Sequence, residues 1–501
     1  MTRRKCPETH PLARVIALAG TAAWLAFPNH AGAQSSDALI NKLVDKGILT
    51  SQEADQLKKE AAESETNLVS ASKWRLSNAI KDIGLFGDLR FRYEYRGVDN
   101  PKSADLTTGD TYRRERFRYA LRFGIRGDLY DNFYYGIRLE TSTNPRSPWV
   151  TFADDSNPTP SAKNSDGIYV GQVYLGWKPT DWYEMTVGRM PMPLYITPMI
   201  WDSDINPEGA FDKFKYSPND KLDLFADFGQ FDYENVNPET GSSPSSDTFL
   251  LAWQLGANVK FARDMSFKIA PVIYNYVGNG NTNANNGVNL PFTGQGNSVG
   301  LNPGVSGFPL NATYNENGIN DLLVLEIPAE YNVKIVNPTL GAFNLRLFGD
   351  FAYNLDGADR ARTAARVGGI PHTYTSDIKA YQVGLGVGSA GPVYGPTQGL
   401  VYGSTSKKNT WEARVYWQHI EQYAVDVNLI DSDFFEGRAN LEGVYCAVAY
   451  SFTDAIIGTI HYGYARRINN NLGTGGNNLD IPQINPINNY NLLQLDLTCR
   501  F

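Results

Sequence analysis

Between Arg114 and Asp128 the chain reads RERFRYALRFGIRGD. Taken two residues at a time, Arg114, Arg116, Arg118, Arg122 and Arg126 share one face. Phe117, Tyr119, Leu121, Phe123 and Ile125 share the other. At about 100° per residue the same arginines would scatter around a helix, so the pattern predicts a strand. The apolar face could meet a soluble core or a lipid, and this strand alone leaves the choice open.

The same alternation recurs from Gly84 to the end. Leu85, Leu89, Phe91, Tyr93 and Tyr95 alternate with Asp88, Arg90, Arg92, Glu94 and Arg96. A third strand, 133–141, sets Phe133, Tyr135, Ile137 and Leu139 against Arg138 and Glu140. Further strands are predicted at 168–178, 182–190, 210–216, 222–230, 248–261, 266–277, 321–335, 342–355, 378–388, 410–420, 440–452, 455–467 and 490–501. That makes about sixteen, most near the ~9–11 residues that a tilted strand needs to cross a bilayer. Their connections alternate short and long, the long ones rich in Gly, Asn, Pro, Asp and Ser. A soluble sandwich has no reason to gather its long loops at one end, whereas a membrane barrel does. Residues 389–409 break the rule with a long connection where a short one is due, which allows eighteen strands as an alternative.

Ahead of the strands the chain is different. Arg3, Arg4, Lys5 and Arg14, the apolar run Val15 to Phe27, and Ala31-Gly32-Ala33 make residues 1–33 a secretory signal, cleaved after Ala33. Residues 34–64 read as a short periplasmic helical hairpin. Leu39, Ile40, Leu43 and Val44 recur at helical spacing, Gly47 stops the first helix, and Thr50 with Glu53 forms a capping box for the second. Residues 65–82 read as a linker, and the barrel is expected over 83–501.

Composition sharpens this picture. Aromatic residues make up 12% of the 501, with 29 Tyr and 24 Phe, and charged residues only 20%. Many strands bounded by aromatic girdles have this profile; Tyr93, Tyr95, Trp177, Trp182, Trp253, Trp411 and Trp417 are girdle candidates. No mature segment offers 18 consecutive apolar residues for a membrane helix. Without its signal the chain has 41 Lys and Arg against 52 Asp and Glu, a net charge near −11 that argues against nucleic acid. Two mature cysteines, Cys446 and Cys499, make no disulfide framework and are expected to be free and buried.

The last strand, NLLQLDLTCRF, places Leu493, Leu495, Leu497, Cys499 and Phe501 on one face. The chain ends on an aromatic residue of that apolar face. In this it resembles bacterial outer-membrane proteins, whose terminal aromatic is read by the barrel-assembly machinery. KGILTSQEADQL, GLFGDLRFRYEY, RERFRYALRFGIRG and VGRMPMP together resemble the putative-porin family of bacterial outer membranes, and more distantly the phosphate-selective porins. The resemblance covers Ser36 to Phe501. It implies a sixteen-stranded, homotrimeric barrel in the bacterial outer membrane that passes small hydrophilic solutes by diffusion.

A sheet in lipid must close so that every backbone group is paired, and sixteen strands leave an aqueous channel. Two regions are expected to set its character. Arg90, Arg92, Arg96, Arg114, Arg116, Arg118, Arg122, Arg126 and Arg138 would line one wall, against four acids, Asp88, Glu94, Asp128 and Glu140. The second is the third long connection, MPMPLYITPMIWDSDINPEG, which in porins folds inward as the constriction. Its apolar residues suit a loop packed on the inner wall, and its Asp202, Asp204 and Glu208 would face the arginines. An acidic loop opposite a basic wall makes a transverse field that sorts ions.

An enzyme is not expected. Mature histidines are His372, His419 and His461, with no G-x-S-x-G run, phosphate loop or metal-ligand cluster, and no cofactor is implied. The rival readings are a solute-specific anion channel of phosphate type, which would need several arginines converging at the narrowest point, and an adhesive barrel with a plugged lumen.

Overall fold

The computed structural model describes residues 77, 79–100, 111–142, 147–153, 166–234, 248–278, 281–283, 288–290, 321–337, 341–368, 372–389, 407–474, 481 and 486–501. The signal, the helical hairpin and most of the linker lie outside these residues.

Sixteen antiparallel strands close on themselves. They are β1 (Gly84–Asp99), β2 (Thr111–Asp128), β3 (Phe133–Ser142), β4 (Gly167–Thr180), β5 (Tyr183–Arg189), β6 (Glu208–Asn219), β7 (Leu222–Glu234) and β8 (Thr248–Ala262). After them come β9 (Met265–Ile269, resuming as Val272–Gly278), β10 (Leu323–Glu326, resuming as Ala329–Asn337), β11 (Gly341–Asn354), β12 (Lys379–Gly388), β13 (Trp411–Ile420), β14 (Leu441–Ser451), β15 (Ile456–Arg467) and β16 (Asn489–Arg500). Each pairs with its neighbours in the chain, and β16 returns to β1, with Asp88 opposite Arg500 and Asp99 opposite Asn489. Closure removes the unpaired edges that an open sheet would expose. β12 pairs directly with β13 through Ala380–Ile420. The long 389–410 connection therefore adds no strand to the wall, and the count is sixteen, not eighteen.

The alternation sorts side chains to two surfaces. Phe91, Leu121, Phe123, Ile137, Leu139, Val383, Val415 and Ile460 lie exposed on the outside. Arg92, Glu94, Arg96, Arg116, Arg118 and Arg122 are buried inside. An apolar exterior around an ionised interior inverts a soluble protein. Of the girdle candidates, Trp182, Trp253, Trp411 and Trp417 stand exposed. Tyr93 is instead covered, its ring 5.4 Å from that of Phe117. Cys446 and Cys499 are free, but half-buried rather than buried, because both sit on outward-facing positions.

Two departures from regularity matter for the interior. β9 and β10 both break, at Ala270-Pro271 and Ile327-Pro328, where proline supplies no ladder N–H. The breaks face each other, with Ile269 opposite Ala329 and Val272 opposite Glu326. The Ala270 carbonyl there accepts from Gln254 Nε2 at 3.0 Å, and that amide also reaches the Tyr195 carbonyl at 2.7 Å. The second departure is at the roots of the 190–207 loop. Gly188 and Gly209 pair with each other at φ of 119° and 145°. A Cβ at either would meet a carbonyl oxygen of the next strand, Val173 at 2.3 Å and Gln230 at 2.1 Å. Only glycine fits there.

One long connection differs from expectation. Within the 356–377 connection, read as a polar loop, Gly357–Gly368 is a helix, α1. Its Ala361 and Ala364 pack with Ile378, Tyr423 and Leu472. The helix was hidden because its buried face is built from alanine rather than from large apolar residues.

Candidate functional site: the narrowed lumen

Two long connections fold into the barrel. In the first, Met190, Met192, Leu194, Ile196, Met199, Ile200 and Trp201 are all buried. They pack on inward-facing Phe211, Phe231, Leu250, Ala252, Val272, Tyr274, Val324, Phe348 and Tyr416 of β6–β13. Such a loop would be costly in water, and the apolar lining of that half of the barrel exists to receive it. Polar clamps fix its height. Tyr195 N donates to Gln254 Oε1 at 2.8 Å, Thr197 Oγ1 donates to Asp350, and Thr197 N donates to Glu326 Oε1 at 3.4 Å.

The second inserted segment, 421–440, follows β13. Val425, Val427, Leu429, Ile430, Phe434 and Phe435 are buried in the same cluster. The two segments are joined by Asp431 N to the Pro198 carbonyl at 3.0 Å and by Asp202 N to the Leu429 carbonyl. Ser432 N and Oγ both donate to Asp202 Oδ2, at 3.1 and 3.0 Å. By its position between β13 and β14, the 421–439 segment falls among the long connections, which the loop pattern assigns to the outside. Its signal was present: DSDFFEG, like MIWDSD, places large apolar residues beside acids in a segment without strand alternation.

Seven of the nine arginines of β1–β3, all but Arg114 and Arg126, are shown against carboxylates, and those carboxylates are more than the wall itself supplies. Arg90 pairs with Asp88 at 2.6 Å and Arg138 with Glu140 at 2.9 Å. Arg92 grips Asp496 of β16 with two 2.8 Å bonds, reaches Asp433 at 2.7 Å, and lies 4.1 Å above the Trp149 ring. Arg96, Arg116 and Arg118 converge on Glu94 at 3.1, 2.5 and 3.5 Å. Arg122 reaches Asp204 of the first inserted loop at 2.5 Å. Arg114 stands opposite Arg96 at the outer end of the β1–β2 ladder. Arg126 lies at the other end, 4.9 Å over the Phe86 ring.

The three loop acids separate. Asp204 meets the arginines directly. Asp202 turns to Ser432. Glu208 is not in the loop at all: it opens β6, where it pairs with Arg189 at 2.7 Å and is exposed. The expected surplus of five cations on this wall is thus reduced by Asp204, Asp433 and Asp496, which arrive from three other segments.

Between the arginine wall and the inserted loops an open cavity of about 280 Å³ remains. Arg90, Arg92, Arg122, Arg138, Arg414 and Arg500 line it, with Asp431, Asp433 and Asp496. Arg414 and Arg500 were not singled out from sequence, although both fall on the non-apolar parity of their strands. Arg414 lies over two rings, 5.4 Å from Tyr416 and 5.1 Å from Tyr445. Tyr445 OH and His461 Nδ1 are 2.6 Å apart, and His461 Nε2 is 3.3 Å from Asp496.

The loop carboxylates differ in charge. Burial, then the nearby Asp433, pushes Asp431 up to about 7. Burial also opposes ionisation of Asp433, but Arg92 and Arg96 hold it below the ordinary range. Asp431 is thus neutral in acid and gains a negative charge as pH rises through neutrality, beside Asp202, Asp204 and Asp433. A pH titration of the protein, followed by carboxylate infrared absorption, should show a step between pH 6 and 8 with a midpoint near 7. Asp431→Asn should flatten that step; the same titration in the variant would assign it to another group.

A search of curated proteins found no match. Among solved structures, a triple mutant of Rhodopseudomonas blastica porin is 12% identical, with 84% of this chain and 100% of that chain covered at a TM-score of 0.34. Salmonella typhi OmpF in complex with daunomycin is 9% identical, with 85% and 99% covered at a TM-score of 0.41. The family described as putative porin matches residues 94–501. That match takes in most of the chain and all but the start of the barrel: the chain belongs to the putative-porin family.

Proposed function

We propose that this protein is an outer-membrane porin, a passive diffusion channel for small hydrophilic solutes and ions. The observation that carries this reading is a closed sixteen-stranded wall, apolar outside and ionised inside, whose inserted loops leave an arginine-lined opening. The family and the barrel fit a bacterial outer membrane and a channel rather than an enzyme. In this reading the signal is removed after Ala33, Phe501 is the assembly signal, and the barrels associate as homotrimers. The arginines of β1–β3 form a basic wall. Asp204, with Asp431 and Asp433 of the second inserted segment, supplies the acidic side of the constriction, and the field between them sorts ions.

Recordings from the purified protein in planar bilayers test this. Steady, ohmic open-channel conductance in KCl is expected, and its absence would sink the porin reading. Replacing Arg116 and Arg118 together by Gln should move the reversal potential toward cations, because Glu94 keeps its charge while two of its guanidinium partners go. An unchanged reversal potential would mean that this cluster stands out of the conduction path.

A further inference from the structure

The opening beside the inserted loops is built as more than a gap. Arg500, Arg90, Arg122 and Arg138 come from four consecutive strands of the wall, β16, β1, β2 and β3. Arg500 and Arg122 both stand opposite Asp88, so they flank it on either side in one row. Arg414 lines the same cavity from β13, extended over Tyr416 and Tyr445. Guanidinium groups therefore enter one chamber from five strands.

Pairing does not exhaust Arg90, Arg122 and Arg138. A guanidinium carries five N–H donors and a carboxylate engages at most two in a fork. Arg90, Arg122 and Arg138 each hold one carboxylate, Asp88, Asp204 and Glu140 respectively. Donors on their remaining edges can still reach the cavity. Neutral donors, Gln172, Ser203, Thr459 and Thr498, share its lining. The three lining acids are largely engaged elsewhere: Asp496 by Arg92 and His461, Asp433 by Arg92 and Arg96, while Asp431 is the group that gains charge only near neutral pH.

We propose that this chamber is a binding site for small oxyanions, solutes bearing a carboxylate or phosphate group, held in transit by the arginines of β16, β1–β3 and β13. The proposal rests on the porin reading and names its substrate class. At about 280 Å³ the chamber suits a compact anion of a few carbons or inorganic phosphate. The planar fork of arginine matches either oxyanion. A site inside a conduction path must bind weakly enough to release, so its signature is saturable, reversible interference with chloride current.

The test is single-channel recording of the full-length, membrane-reconstituted protein in KCl, with sodium succinate or sodium phosphate added to one side. Chloride current should fall with added anion and saturate. Block by succinate alone assigns organic carboxylates, and block by phosphate alone assigns phosphate. In the Arg414→Gln, Arg500→Gln double variant the half-blocking concentration should rise about tenfold, the loss of one good charge-assisted pair. Arg138→Gln provides an independent arm should the double variant fail to assemble, as judged by heat-modifiable mobility on gels. Current that neither anion blocks, or equal block in wild type and variants, overturns the site. Normal KCl conductance in that same record would leave the porin reading standing, whereas loss of all conductance would sink both.

Discussion

Replacing residues 192–201 with a short Gly-Ser linker should raise single-channel conductance on the order of two- to five-fold, because a sixteen-stranded barrel encloses a water-filled lumen once nothing occupies it. The removed residues include Leu194, Ile196, Met199, Ile200 and Trp201, all buried against the inner face of β6–β13. The gain should fall short of a fully open barrel. The 421–440 segment remains, held by Tyr233 OH to Asp426 at 2.7 Å and by Asp433 to Arg92. It loses its anchor on Pro198, so its motion should appear as added current noise. A milder variant, Asp202→Ala, removes the two bonds from Ser432 and the one from Asp204 N, and should raise noise with little change in mean conductance. Unchanged conductance in the linker variant would mean that the loop leaves the lumen in a membrane.

Much of this arrangement was legible in the sequence, and the reasons are physical. A period of two survives any tertiary context, because a one-residue slip would turn arginines to lipid and phenylalanines to the lumen. The sixteen strands could therefore be placed, with only 389–409 leaving room for two more. The inward loop was legible because MPMPLYITPMIW is too apolar for water. What stayed hidden depends on partners brought together by closure. Asp496 and Arg92 lie 404 residues apart in the chain and become neighbours only because β16 meets β1. Gln254 could not be recognised as a clamp until the Pro271 and Pro328 breaks freed the Ala270 carbonyl beneath Tyr195. The charge balance of the wall failed for the same reason: counting acids on β1–β3 omits those that the inserted loops and β16 deliver.

That same convergence makes Glu94 costly to lose. Its carboxylate is fully buried and accepts from Arg116 Nε at 2.6 Å, Arg96 at 3.1 Å and Gln494 Nε2 at 2.9 Å, with Arg118 at 3.5 Å and Arg92 at 3.9 Å. Four guanidinium groups thus share one anion. Removing one partner from a buried ionic cluster leaves its other charges uncompensated at a cost of about 3–5 kcal/mol. Glu94→Leu should accordingly lower unfolding free energy by that amount, measured by urea titration of the protein refolded into vesicles and followed by tryptophan fluorescence. Glu94→Gln keeps the hydrogen-bond acceptor and the volume but not the charge, so it should fall between wild type and Leu. Glu208→Ala is the control: its bond to Arg189 is exposed, and such pairs contribute roughly 0–1 kcal/mol. If Glu94→Leu costs no more than Glu208→Ala, lumen water screens the arginines from one another, and the cluster shapes the field of the channel without bracing its wall.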